Sequence, residues 1–199
     1  MIRHAIRAAK DSGCFQGIIV SSDDPEIMAM AKREKVEFAP RPKKLAGDKA
    51  TVNEVCLDVL QKWKNKTGSM PVHFCCLYPT APLRTARDVR GLMARLLSGR
   101  CDFMLAATRY THPPHQALRV GKNGLLRAMW PRWVKKRSQE VPQLVVDNGS
   151  TYAAKTKAYL RQKTFYGSKL GVWMMPWERS IDLDLPADMD LLRKLSRSN

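Results

Sequence analysis

No apolar stretch in this chain approaches the roughly 20 residues that a helix needs to cross a bilayer, so the sequence predicts no membrane-spanning helix. The start, Met1-Ile2-Arg3-His4-Ala5-Ile6, lacks the continuous apolar region and cleavage site of a secretory signal, and Asp11 argues for an ordinary helix over a transit peptide. Five cysteines, at positions 14, 56, 75, 76 and 101, follow neither a disulfide framework nor a zinc-ribbon spacing. They read as reduced thiols, with Cys75 and Cys76 buried in an apolar run, and the expected location is cytoplasmic. Walker loop, glycine-rich dinucleotide fingerprint and Ser-His-Asp arrangement are all missing. Acidic residues are scarce: 18 Asp and Glu against 35 Lys and Arg give a formal charge of +17. That surplus suits nucleic acid or a small anionic substrate such as a nucleoside triphosphate or an acid sugar, and does not choose between them. Zinc-finger and helix-turn-helix signatures are absent, and the positive charge is spread along the chain instead of gathered in one recognition helix.

What is present is the composition of a folded globule. With 44% hydrophobic and 27% charged residues over 199 positions, one core and one domain spanning 1–199 are expected. Ile2, Ala5, Ile6 and Ala9 recur at helical spacing, and Gly13 supplies a stop. Gly17-Ile18-Ile19-Val20-Ser21 reads as a buried strand, followed by a capped helix start at Ser22-Asp23-Asp24-Pro25-Glu26. Val36-Glu37-Phe38 reads as a small strand before the stiff Pro40-Arg41-Pro42 loop. The pattern then predicts a helix over 51–65, a strand over 73–78, a helix over 86–97 and a strand over 102–108. This alternation predicts an α/β domain with a mostly parallel central sheet flanked by helices, and ligands bound beyond the strands' C-terminal ends. From 111 to 146 the rhythm breaks. Four prolines, Trp130, Trp133 and a run of basic residues mark an inserted arm or hairpin, suited to an oligomer contact or to RNA stacking. A tight turn at Asp147-Asn148-Gly149-Ser150 follows, then a helix from Thr156, a return to the main fold at 171–175 and a closing helix over 188–195.

The residues with most chemistry lie near the end, in Ile181-Asp182-Leu183-Asp184-Leu185-Pro186-Ala187-Asp188. If the segment is a strand end, residues two apart share a face, and Asp182 and Asp184 point at one spot. Two carboxylates so held repel unless a cation or a proton sits between them. Mg²⁺ with phosphate oxygens as its remaining ligands fits that requirement; a solvated acidic turn at a helix start is the plainer alternative. The Pro79-Thr80-Ala81-Pro82-Leu83-Arg84 loop places a hydroxyl and a guanidinium where a nucleotide or carboxylate would bind, though Arg84 would serve equally in a surface ion pair. Arg41 and Arg137 are candidates for a bidentate grip on phosphate or carboxylate. His112 and His115 flank Pro113-Pro114 with no third ligand in view and read as surface loop histidines.

Six segments, taken in order, resemble the acylneuraminate cytidylyltransferase family, the CMP-sialic acid synthetases, and within it the bacterial type acting on pseudaminic or related nonulosonic acids. They are Ile18 to Asp24 with Glu26-Ile27; Arg41-Pro42 with Leu45-Ala46 and Asp48; Leu77 to Arg84; Arg137 to Pro142; Asp147-Asn148-Gly149; and Ile181 to Asp184 with Pro186-Ala187-Asp188. The resemblance covers essentially the whole chain. It implies a Rossmann-like nucleotidyltransferase in which a sugar-acid hydroxyl attacks the α-phosphate of CTP, releasing pyrophosphate and forming a CMP-sugar. By that resemblance Asp182 and Asp184 hold Mg²⁺, and Arg41, Asp48 and Thr51 line the cytidine side. Tyr78, Thr80 and Arg84 face nucleotide and sugar. The 111–146 arm makes a homodimer, with Arg137 and neighbouring basic residues reaching into the partner's site; Arg137 joins Asp182 and Asp184 as a catalytic residue, and Gln139 binds substrate.

Two departures accompany the resemblance. Tyr78 stands where many sialic acid members carry Gln, which points to the pseudaminic branch. Residues 1–6 match the helix that in the family follows a first strand and a glycine- and basic-rich phosphate loop, so that strand and loop are absent from these residues and impaired turnover is expected. The rivals are a related nucleotidyltransferase for another 2-keto sugar acid, a catalytically inactive dimeric remnant that binds nucleotide, and an RNA-binding protein built on the Trp130–Trp133 segment. Membrane association is not expected, and nucleic acid is the disfavoured partner.

Overall fold

The structure is a computed structural model that describes residues 1–196. In chain order the elements are α1 (Ile2–Ser12), β1 (Ile19–Ser22), α2 (Pro25–Arg33), β2 (Glu37–Pro40), α3 (Val52–Thr67), β3 (His73–Leu77), α4 (Ala86–Leu97) and β4 (Phe103–Arg109). There follow β5 (Leu118–Val120), β6 (Leu126–Ala128), a single turn α5 (Pro131–Val134), β7 (Val145–Lys155), α6 (Thr156–Gln162), β8 (Leu170–Met174) and α7 (Pro186–Ser196). Local chemistry sets most of these limits. Asp24 caps α2 through Glu26 N, Thr51 and Thr85 form reciprocal capping boxes with Glu54 and Asp88, and left-handed glycines end α1 and α3.

The main sheet has the order β3-β7-β4-β8. β3, β4 and β8 share a direction and β7 alone runs against them, so the α/β expectation stands with one reversed strand. The reason is the arm: it returns the chain to the sheet from the end at which β4 left it. β1 and β2 form a separate parallel pair, and β5 and β6 an antiparallel hairpin inside the arm.

Alternate residues of β4 face opposite cores, as strand geometry requires. Phe103, Leu105 and Ala107 join Cys56 and Leu60 of α3 and Tyr159 of α6 on one face. Met104 and Ala106 join Leu92, Met93 and Leu96 of α4 on the other. Each large side chain fully buried here contributes about 1.5–3 kcal/mol. Trp173 of β8 lies so close over Gly91 that a Cβ there would fall 2.1 Å from the ring. Arg90 of α4 donates to the Ser12 and Asp11 carbonyls at the end of α1, a cation where the helix dipole is negative. No described helix is long and apolar enough to cross a membrane.

Three sequence expectations change. The tight turn expected at 147–150 is part of β7: the strand carries extra residues opposite β4 between Tyr152 and Asp147, and Gly149 takes φ 65° at that bulge. Asp182 and Asp184 lie on irregular chain and not on a strand end. His115 is not a surface histidine. It is buried, with its Nε2 3.0 Å from the Pro142 carbonyl and its ring against Trp133.

Candidate active site at the bulged strand

The bulge in β7 organises the C-terminal end of the sheet. A cavity of about 410 Å³ opens there, lined by Thr108 from β4, Val146 to Gly149 and Tyr152 from β7, Tyr166, Ser180, Asp182 and Asp184. Both carboxylates predicted to act together therefore reach one cavity, although the segment carrying them is not a strand. It is fixed instead by single bonds to its neighbours. Leu183 N donates to the Thr80 carbonyl, the Asn148 amide donates to Ser180 Oγ, and the Asp184 and Leu185 N–H groups donate to the Asp188 carboxylate that starts α7.

Asp182 carries the most informative detail. Its Oδ1 is buried and has no hydrogen-bond partner, a costly state for a carboxylate oxygen unless something meets it. Its Oδ2 would lie 2.5 Å from a Cβ at position 149, so only glycine lets the bulge backbone approach. Among the described residues no group of three metal-type side chains gathers closely enough to enclose an ion. Of the three aspartates lining the cavity, Asp147 is taken up by Gly149 N and two phenols, which leaves Asp182 and Asp184 as the candidate ligands.

The other walls are held by hydrogen bonds absent from the sequence reading. Asp147 accepts from the phenols of Tyr152, at 2.8 Å, and of Tyr166, both on Oδ2, while its Oδ1 accepts from Gly149 N. Burial, with the bond to Asp147 added, pushes the Tyr166 phenol up to about 12 and the Tyr152 phenol higher still, so both stay protonated as donors. Tyr78 stacks obliquely on Tyr152 at 5.4 Å, and burial raises its phenol too.

Behind the cavity, Asp88 at the start of α4 accepts two bonds from Arg179, at 3.1 and 2.8 Å, and one from Trp173 Nε1. Burial would raise the Asp88 carboxyl, but the Arg179 and Thr85 bonds prevail and hold it below the usual carboxylate value. Arg179 directly precedes the Ser180–Asp184 segment, so this pair anchors the chain that presents the two carboxylates. Asp147, Tyr152, Tyr166, Asp88 and Arg179 carry no periodic signal. Only the Asp147-Asn148-Gly149 string marked their neighbourhood.

The predicted residues divide into three places. Tyr78, Thr80, Arg84, Asp182 and Asp184 gather around the bulge. Arg84, expected to face ligand or to make a surface ion pair, is 4% exposed. Its Nη1 donates to the Tyr78 and Ser150 carbonyls, 3.2 and 2.7 Å away, so it braces the loop from beneath. Arg41 stands at the end of the β1–β2 pair, where Nη2 donates to the Ser21 carbonyl at 2.7 Å. Asp48 is exposed nearby, and Thr51 spends its hydroxyl on the α3 capping box. Arg137 and Gln139 are exposed on the arm.

The fold is that of the α/β nucleotidyltransferases. A CMP:2-keto-3-deoxy-manno-octonic acid synthetase solved in complex with CTP superposes with a TM-score of 0.67 over 99% of this chain and 87% of its own, at 12% identity. A 4-diphosphocytidyl-2C-methyl-D-erythritol synthase from Anaerococcus prevotii gives 0.59 at 10% identity, over 98% of this chain and 88% of its own. In sequence, the cytidylyltransferase family model matches residues 1–198, and the chain belongs to that family. A pseudaminic acid cytidylyltransferase of Campylobacter jejuni subsp. jejuni is 27% identical over all of this chain and 86% of that protein. An N-acylneuraminate cytidylyltransferase of Streptococcus agalactiae is 26% identical over 94% of this chain and 45% of its own length.

Proposed function

We propose that this chain transfers CMP from CTP to a nonulosonic acid of the pseudaminic or sialic type. The observation that supports the chemistry is that Asp182, whose Oδ1 is buried without a partner, and Asp184 line the same cavity. Those two carboxylates suit Mg²⁺ completed by substrate phosphate oxygens and water, and the ion would supply neutralisation of charge on the transferring phosphoryl group. In the reaction a hydroxyl oxygen of the sugar acid bonds to the α-phosphorus while the α–β phosphoanhydride bond breaks and pyrophosphate departs. The protein contributes positioning. Leu183 on Thr80 and Arg179 on Asp88 fix the carboxylates, Arg84 fixes the floor, and Arg41 at the β1–β2 end lies on the cytidine side.

The arm is read as a dimer contact, with Arg137 and neighbouring basic residues reaching into the partner's site and Gln139 as a substrate-binding residue. RNA stacking is the weaker reading of the same segment. The Trp133 ring already has Arg132 at 4.6 Å, Lys136 at 5.3 Å and His115 beside it, which leaves a base little free face.

The test is pyrophosphate release from CTP and Mg²⁺ with a panel of 2-keto sugar acids. Release with nonulosonic acids, lost in Asp184→Asn, supports the reading. Nucleotide binding without release from any acid would favour the inactive remnant, and full activity in Asp184→Asn would remove the metal assignment.

A further inference from the structure

The end of the sheet opposite the acidic cavity carries a different surface. β4 runs from Phe103 to the cavity wall at Thr108, and β7 runs back from Asp147 at the cavity to Lys155. Asp102 and Lys155 therefore stand about 20 Å of strand away from the cavity, at roughly 3.3 Å per residue. Backbone bonds gather four segments there. Lys155 N donates to the Asp102 carbonyl, Asp102 N to the Lys169 carbonyl and Thr156 N to the Val72 carbonyl, at 2.9, 3.0 and 2.9 Å. The Lys155 ammonium reaches Asp102 Oδ1 at 2.8 Å and the Gly99 carbonyl at 3.4 Å.

Cations dominate these segments. From Lys155 to Lys169 the chain has five basic residues and no acidic one, and Arg100 adds a sixth. The one carboxylate between 97 and 102, Asp102, is neutralised by Lys155. Arg100, Lys157, Arg161, Lys163 and Lys169 are left exposed and outside every ion pair among the described residues. Lys163 and Lys169 hold φ of 52° and 57°, a backbone state that glycine adopts at lower cost, so two of the charges stand at strained positions. Apolar side chains lie among the cations. Val72 is 75%, Leu97 58% and Leu160 36% exposed. Leu160 shares a face of α6 with Lys157 and Arg161, at three- and four-residue spacing.

We propose that this face docks the protein on an anionic phospholipid bilayer. Cations interspersed with aliphatic side chains match the headgroup layer, where lipid phosphates meet the charges and the acyl boundary takes the apolar groups. A nucleic-acid strand would instead call for exposed rings on which to stack. Here Tyr159 and Phe165 are buried, and Tyr166 is bonded to Asp147 beside the cavity. The sequence alone predicts no membrane association, because these charges are lost there in a diffuse surplus of +17; folding brings them to one side. Docked this way, the protein turns the acidic cavity away from the bilayer and leaves it open to water.

The test is cosedimentation with vesicles of phosphatidylcholine alone and of equal parts phosphatidylcholine and phosphatidylglycerol, at low and physiological salt. The parent chain should bind only the anionic vesicles, and less tightly as salt rises. Lys157→Glu combined with Arg161→Glu should weaken that binding by about tenfold or more, since each Lys or Arg near such a surface is worth about fivefold. Lys43→Glu combined with Lys44→Glu makes the same change of net charge on exposed residues of the loop after β2. At physiological salt it should weaken binding less than about threefold, because screening confines the attraction to the docked face. Val72→Ser combined with Leu97→Ser should weaken binding by about tenfold. All the altered residues are exposed, so folding should persist, which circular dichroism checks. Equal binding by the parent chain and the Lys157/Arg161 protein would overturn the docking face, as would an equal loss in the Lys43/Lys44 protein or none in the Val72/Leu97 protein. A parent chain that ignores the vesicles, whether or not it captures polyuridylate, would overturn it too.

Discussion

The bulge of β7 and the arm that precedes it are neighbours in sequence and opposites in physical state. At the bulge almost every polar group has a named partner: Asn148 on Ser180, Ser150 on Asn148, Asp147 under two phenols, and Arg84 on two carbonyls. Two buried atoms in that setting lack a partner, Arg84 Nε and Asp182 Oδ1, and of the two residues only Asp182 lines the cavity. The arm has the reverse character. Val120 is 70% and Trp130 44% exposed, with Leu118, Leu125, Leu126 and Met129 exposed beside them. A region whose contacts are complete within the chain is built to hold a geometry. A region that leaves a contiguous set of apolar side chains in water is built to meet another surface. On the proposed reading, the unmet Oδ1 at the cavity awaits a ligand and the exposed apolar side chains of the arm await a partner.

The contrast can be broken from either side. Asp182→Asn or Asp184→Asn should reduce pyrophosphate release by about 10²–10³-fold, the scale on which enzymes lose a preorganised charge-stabilising group, while the thermal midpoint stays within a few degrees. Equal losses of stability and activity would make these residues structural.

Asp88→Ala should cost about 3 kcal/mol in urea unfolding, because it strands the Arg179 guanidinium, and should lower turnover by loosening the Ser180–Asp184 segment. The pH dependence has a definite sign. Because the folded-state value of Asp88 lies below the unfolded one, its stabilisation is complete above the unfolded value of about 4 and is lost as pH falls through the folded value. Asp88→Asn should flatten the acid side of the stability profile, and an unchanged profile would show that the pair contributes little.

Gly149→Ala meets both a left-handed φ of 65° and the Asp182 carboxylate. A loss of about 1–2 kcal/mol is expected from backbone strain, with Mg²⁺ dependence shifted to higher concentration. Smallest on the single chain is Val120→Ser, which should alter unfolding by under about 0.5 kcal/mol. Light scattering should nevertheless show a weakened dimer. No change in assembly would remove the arm from the interface.

Much of this was legible in the sequence where one physical rule dominates locally. Helices with caps and periodic apolar faces, and strands with short β-branched runs, were placed to within a few residues. Asp182 and Asp184 line one cavity, but not through the strand-end alternation that paired them in the sequence: the segment is irregular and is held by bonds to Thr80, Asn148 and Asp188. The bulge was not legible: Asp147-Asn148-Gly149-Ser150 is turn chemistry, and only pairing with β4 on one side and β3 on the other draws it into a strand. Arg84 and His115 show the same limit. A lone Arg or His carries no local sign of burial, since its partners, the Ser150 and Pro142 carbonyls, lie far along the chain. Tyr166 was invisible for the same reason, its acceptor being 19 residues away.

The most direct test is to titrate Mn²⁺, as a paramagnetic substitute for Mg²⁺, into the chain with CTP bound and read free metal by electron paramagnetic resonance. One ion should bind to the parent chain, and at least tenfold more weakly to Asp182→Asn. Equal affinity in the two proteins would contradict the account, because the buried Oδ1 would then have some other reason to stand unpartnered.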